Sequence, residues 1–121
     1  MHSEKDIENL QRTASQVRRD ILRMVHQCQS GHPGGALGCA DYFTALFFHV
    51  MKHKPAFDMN GLGEDLFFLS NGHISAAWYS VLARSGYFEI SEMQTFRKIN
   101  SRLQGHPATH EHLPGIRIAS G

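Results

Sequence analysis

Apolar residues Ile7, Leu10, Ala14, Val17, Ile21, Met24 and Cys28 recur at steps of three and four through the first part of the chain. That spacing predicts one apolar face of a long amphipathic helix that packs on a core. Glu4, Asp6 and Glu8 favour its N-terminal end, and Arg18, Arg19 and Arg23 lie further along. Ser30-Gly31 predicts its stop, with Pro33 just beyond. The next stretch, "GHPGGALG", holds four glycines and a proline in eight residues and reads as a loop with special backbone demands. Ala40, Phe43, Leu46, Phe47 and Val50 then predict a second helix, apolar on most sides and therefore buried.

A polar, turn-rich connection follows, and residues 65–69, "DLFFL", form a short apolar run. Such a run predicts a strand buried on both faces, as in a parallel α/β sheet. Ser70-Asn71-Gly72 closes it, and a helix is predicted from near His73 through Ala77, Val81 and Leu82 to Gly86. Ser91 reads as the cap of a further helix. Ile116-Arg117-Ile118 alternates like half of a second strand. These elements predict an α/β fold, helix-rich, whose sheet is incomplete. A doubly wound sheet needs several βα units to cover both faces, so residues 1–121 read as a truncated part of a larger domain.

Composition narrows the class. The chain is 41% hydrophobic and 19% charged, outside the range of disordered chains. No apolar run approaches the roughly 20 residues of a membrane-spanning helix, and the first residues contain no secretory segment. The net charge is +1 with histidine neutral, without blocks of like charge, which argues against nucleic acid or an anionic membrane as partner. Cys28 and Cys39 lack the spacing of a zinc site or redox pair and read as reduced core thiols of a cytoplasmic protein.

Nine of the 121 residues are histidine, and three of them follow glycine: Gly31-His32, Gly72-His73 and Gly105-His106. His73 sits where a strand, a tight turn and a helix would succeed one another, the place where open α/β sheets bind phosphates. It can donate to a phosphate oxygen there, or simply cap the helix. His32 and His106 each precede proline, which holds their backbone extended on a stiff support. Imidazoles so held suit hydrogen bonding to hydroxyls or proton transfer near neutral pH; the competing reading is an exposed loop histidine. His106, His110 and His112 also form H-x3-H-x-H, but no regular helix fixes their face and neither cysteine nor aspartate completes a set. A non-enzymatic, histidine-rich metal-binding module is therefore the alternative from another class, and no metal ligand is assigned.

With these residues in view, the sequence resembles the N-terminal part of transketolases, thiamine diphosphate enzymes. The segments that carry the resemblance are "SGHPGGALGCADYFTALFF", "EDLFFLSNGHISAAWYSVLARSGYF" and "LQGHPATHEHLPGIRIASG", in family order and spanning most of residues 15–121. The compact form is most similar to bacterial short or split N-terminal subunits. The resemblance implies a parallel-sheet domain holding the cofactor's diphosphate and Mg²⁺. A partner domain would grip the pyrimidine and supply a glutamate that helps form the thiazolium ylid. It further implies transfer of a two-carbon ketol unit from a ketose phosphate to an aldose phosphate, a cytoplasmic pentose phosphate pathway reaction. The implied partners are sugar phosphates, a C-terminal transketolase half or subunit, and further copies in a homo-oligomer. By match, His32 and His106 are the substrate-side catalytic histidines, His73 contacts the cofactor diphosphate, and Gly121 begins a glycine-containing segment beside the cofactor.

The departures qualify what is implied. The family's G-D-G motif and the asparagine that follows it, which bind Mg²⁺ and diphosphate, are absent from these 121 residues. The glutamate and the pyrimidine domain are absent as well. The expectation is a transketolase fragment that is inactive by itself. Within the same class, the alternative is a fragment of 1-deoxyxylulose-5-phosphate synthase or another thiamine enzyme; these resemble this chain in the first glycine-histidine loop, whereas "LSNGH" and "QGHP" are more like transketolase.

Overall fold

A computed structural model describes residues 3–119 of the chain. Helix α1 (Glu4–Cys28) follows the predicted stripe, with Ala14, Val17, Ile21 and Met24 buried. Ser3 and Asp6 close its start reciprocally: Ser3 Oγ accepts from the Asp6 N–H at 3.1 Å and Asp6 Oδ2 from the Ser3 N–H at 3.3 Å. Its end differs in detail from expectation. Gln29, rather than Gly31, takes the left-handed conformation just past the last turn, with φ 52°.

Helix α2 (Pro33–Ala45) begins well before the predicted start. Three of the four glycines that read as loop, Gly34, Gly35 and Gly38, lie in its first turns. Pro33 occupies the first helical position, where a missing N–H costs nothing and its fixed φ suits the helix. A Cβ on Gly35 would lie 2.9 Å from Ile74 Cγ2, so this glycine lets α2 approach the turn that carries His73. The helix passes into a single π-type turn (Leu46–Val50), closed by the Met51 N–H donating to the Leu46 carbonyl at 2.8 Å. The Phe47 carbonyl within it accepts from His53 Nε2 at 2.6 Å, and His53 stacks on Tyr87 at 5.7 Å between ring centroids. His53 is thus a structural histidine.

Residues 65–69 are extended, but among the described residues there is no β-strand. The side chains alternate as in a strand: Phe67 packs edge-on against Phe43, Phe47 and Trp78, whereas Leu66 and Phe68 are about half exposed. Only one face is covered, against the prediction of two. A strand is defined by a ladder of hydrogen bonds to a neighbour; the Asp65 N–H donates to the Lys52 carbonyl at 2.6 Å, but no ladder forms among the described residues. Ile116 and Ile118 likewise form no strand; the first is buried and the second exposed.

A one-turn 3₁₀ segment (Gly72–Ile74) leads into α3 (Ser75–Arg84), nine of whose ten residues are buried. Trp78 and Tyr79 on it are fully buried at the centre of the core, between α1 and α2. Beyond Gly86, the segment Ile90–Thr95 is a 3₁₀ turn rather than a helix capped by Ser91; Glu89 holds the capping position, without a side-chain bond. The helix-rich part of the expectation therefore holds, and the sheet is not present among the described residues. Cys28 and Cys39 are free thiols, half-buried at the core margin.

Candidate functional site

The three glycine-linked histidines meet. His32 caps α2 with non-helical angles, φ −125° and ψ 77°, and its carbonyl accepts from the Ala36 N–H at 3.2 Å. His73 sits in the turn that opens α3. Asn71, not His73, is the cap there: its Oδ1 accepts from the His73 backbone N–H at 3.2 Å. His106 is presented by the Gly105–Pro107 loop, which α3 pins from below. Ser75 Oγ donates to the Gly105 carbonyl and the Tyr79 hydroxyl to the Gln104 carbonyl, both at 2.6 Å. Pro107 is fully buried beneath.

The His73 ring stands edge-to-face against His32 at 4.8 Å and against His106 at 4.7 Å between centroids. His73 is therefore the middle of a row of three imidazoles drawn from separate loops. All three residues are exposed, so the row forms a surface that a ligand can reach. Apart from His73 Nδ1, which lies 3.1 Å from Asn71 Oδ1, their ring nitrogens make no hydrogen bond within the described residues. No carboxylate among the described residues pairs with any of them. Gly121, the fourth expected site residue, lies outside the described residues.

Two supporting residues carry no sequence motif of their own. Asn71 orients His73, and the signal for it was an Asx residue opening a Gly-His turn. Arg97 has a left-handed backbone, φ 62°, held by its N–H donating to the Leu103 carbonyl at 2.8 Å. A Cβ on Gly105 would fall 2.8 Å from Arg97 Cζ, so the guanidinium lies directly on the backbone that carries His106. The Tyr79 hydroxyl under this loop has its pKa pushed well above the ordinary phenol value, chiefly by burial. The charge of Glu111 adds to that shift and that of Arg97 opposes it. Tyr79 thus remains a donor to the loop.

The alternative metal site does not assemble. Among the described residues no group of three or more His, Cys, Asp or Glu is placed to hold a metal ion. The His110 side chain is 80% exposed and pairs with Glu111. A cavity of about 430 Å³ between α1 and the 90–94 turn is lined by none of the three central histidines.

The family model described as the transketolase thiamine diphosphate binding domain matches residues 9–121. The chain belongs to the transketolase family. Transketolase from Buchnera aphidicola (subsp. Acyrthosiphon pisum) is 40% identical over 122 residues, covering 100% of this chain and 17% of the relative. Transketolase 2 of Escherichia coli K12 is 36% identical over 120 residues, covering 98% and 17%. The solved transketolase of Leishmania mexicana superposes with a TM-score of 0.85 at 32% identity, over 93% of this chain and 17% of that one. That of Campylobacter jejuni gives 0.83 at 35% identity, over 100% and 18%. The chain therefore spans about a sixth of the length of the transketolases it matches. These relatives are named transketolase, which favours that branch over the deoxyxylulose-phosphate synthases. No helix among the described residues is long and apolar enough to cross a membrane.

The described residues fit a diphosphate better than a metal. A row of exposed imidazoles free of carboxylates suits an anion, whereas a donor set for Mg²⁺ is lacking among them.

Proposed function

We propose that residues 1–121 supply the first part of the diphosphate-binding domain of a cytoplasmic transketolase that moves a two-carbon ketol unit between sugar phosphates. The observation that carries this reading is the convergence of His32, His73 and His106 in one row of rings. In it, His73 holds the thiamine diphosphate through the cofactor's diphosphate, and His32 and His106, on either side, hydrogen-bond the hydroxyls of the ketose. By the family match alone, Gly121 is proposed to begin a glycine-containing segment beside the cofactor. Bound thiamine diphosphate supplies the carbanion chemistry; the chain's own residues bind, orient and hold protons. His32 and His106 suit this work because each is held by a proline on its C-terminal side and has an exposed ring. Mg²⁺, the pyrimidine-binding domain and its glutamate come from outside these residues, from a C-terminal half or subunit. Support comes from the family match and from relatives about six times longer. The chain by itself is inactive, and the working enzyme is a homo-oligomer.

The test is a chimera in which residues 9–119 replace the matching segment of Escherichia coli transketolase 2. The expected result is ketol transfer from xylulose 5-phosphate in a coupled assay. In that chimera His73→Ala weakens thiamine diphosphate binding. His32→Ala or His106→Ala lowers turnover on the order of 10²-fold. A folded, cofactor-loaded chimera without transfer would refute the functional reading, and an unchanged cofactor constant in His73→Ala would remove the diphosphate assignment.

A further inference from the structure

Asn71 determines which nitrogen of His73 carries the proton. The Asn71 side-chain atom facing the His73 backbone accepts from its N–H at 3.2 Å, and a backbone N–H can only donate. That atom is therefore the amide oxygen. The same oxygen lies 3.1 Å from His73 Nδ1. It has no hydrogen to give, so Nδ1 must donate to it. A neutral imidazole has a single N–H. With that proton committed to Asn71, Nε2 of the neutral ring presents a lone pair, which repels an anion's oxygen.

We propose that a diphosphate docking beside His73 is bound together with one proton, which goes from solvent to Nε2. This rests on the reading above that His73 meets the cofactor's diphosphate. The imidazolium is the only state of the ring that keeps the Asn71 bond and also donates to a diphosphate oxygen. No bond of the diphosphate breaks; the proton is the only species transferred.

The surroundings agree. The titratable groups facing His73 are His32, from the cap of α2, and His106, from the 105–107 loop, at 4.8 and 4.7 Å between ring centroids. On its own turn it meets Asn71, which is uncharged. Arg97 lies against Gly105 in the His106 loop. No carboxylate among the described residues pairs with these rings. A diphosphate is the first negative charge in the row, and a nearby opposite charge favours the protonated ring.

Two measurements on the 121-residue chain test this. The first is a long-range ¹H–¹⁵N spectrum of histidine-labelled, ligand-free protein near pH 8, above the ordinary imidazole range of about 6.5. The expected result is a His73 ring protonated at Nδ1; a ring protonated at Nε2 overturns the proposal and leaves the diphosphate reading standing. The second is calorimetry with inorganic pyrophosphate and with thiamine diphosphate, in two buffers of different protonation heat. Wild type is expected to take up about one proton more per bound diphosphate than Asn71→Ala, whose ring is free to carry its proton on Nε2. The ligand's own protonation cancels in that comparison. From about pH 8 upward, wild-type affinity should fall up to about tenfold per pH unit more steeply than that of the variant. Equal proton uptake overturns the proton coupling. If His73→Ala binds pyrophosphate as tightly as wild type, or if the chimera carrying residues 9–119 in Escherichia coli transketolase 2 loses no thiamine diphosphate affinity on His73→Ala, the underlying diphosphate reading falls and the proposal with it.

Discussion

Adding one methyl group at three glycines of α2 should give opposite signs within a single helix. At Gly34 and Gly38 a Cβ meets nothing within 4 Å, so alanine gains helix propensity without a clash. For Gly38, inside the helix, the gain is about 0.5–1 kcal/mol. At Gly35 the new Cβ would lie 2.9 Å from Ile74 Cγ2. That methyl is attached at the branch point of a buried side chain, so relief requires α2 or the Gly72–Ile74 turn to move. Overpacking of this kind costs about 1–3 kcal/mol, which exceeds the propensity gain and leaves Gly35→Ala about 1–2 kcal/mol less stable. Urea unfolding followed by Trp78 fluorescence measures both. On heating, the two variants should separate by about 5–15 °C in Tm. Because the displaced turn carries His73, Gly35→Ala should also perturb the His73 ring resonances while Gly38→Ala leaves them in place. If Gly35→Ala is as stable as Gly38→Ala, the close approach of α2 to that turn is not what the glycine serves.

Asp20→Ala should destabilise the chain by about 3 kcal/mol in the same unfolding assay, the low end of the range for breaking a buried ion pair. Asp20 accepts from Arg84 Nε at 2.9 Å, Arg84 Nη2 at 2.8 Å and Ser80 Oγ at 2.8 Å; the low end applies because the Arg84 side chain is 24% exposed and can turn to water. A loss below about 1 kcal/mol would mean that the pair behaves like a surface one. Tyr79 predicts an alkaline limit. Its folded pKa is raised, chiefly by burial, so its contribution is present below the unfolded value of 10.0 and is lost as pH rises beyond it. Tyr79→Phe, which cannot ionise, should flatten the fall in Tm above about pH 10; an unaltered alkaline profile would contradict this.

What could be read from the sequence depended on how local each cause is. The α1 stripe is a property of the helix itself, and its central part was legible: Ala14, Val17, Ile21 and Met24 are buried, whereas Ile7 at its start is exposed. The start of α2 was not, because three glycines read as loop whereas Gly35 answers a contact with Ile74, far along the chain. The run at 65–69 carries a strand's composition, yet a strand also requires a neighbour, which no residue within it specifies. Asp20 interrupts an apolar stripe between Val17 and Ile21, and its partners Ser80 and Arg84 lie on α3, beyond any local pattern. The repeated Gly-His pairs marked the candidate site. Their meeting, and the part of Asn71 in it, are tertiary facts.

The row of histidines also dictates an order of assembly. His32 and His73 belong to segments that can pack once α3 exists, but His106 reaches them only when its loop is fastened by Ser75 and Tyr79 across separations of 30 and 25 residues. On a chain emerging from the ribosome, α1, α2 and α3 can therefore condense first, with one side of the His73 ring still bare. The row of three rings becomes complete only once residues 104–106 have been delivered and their loop is fastened to α3.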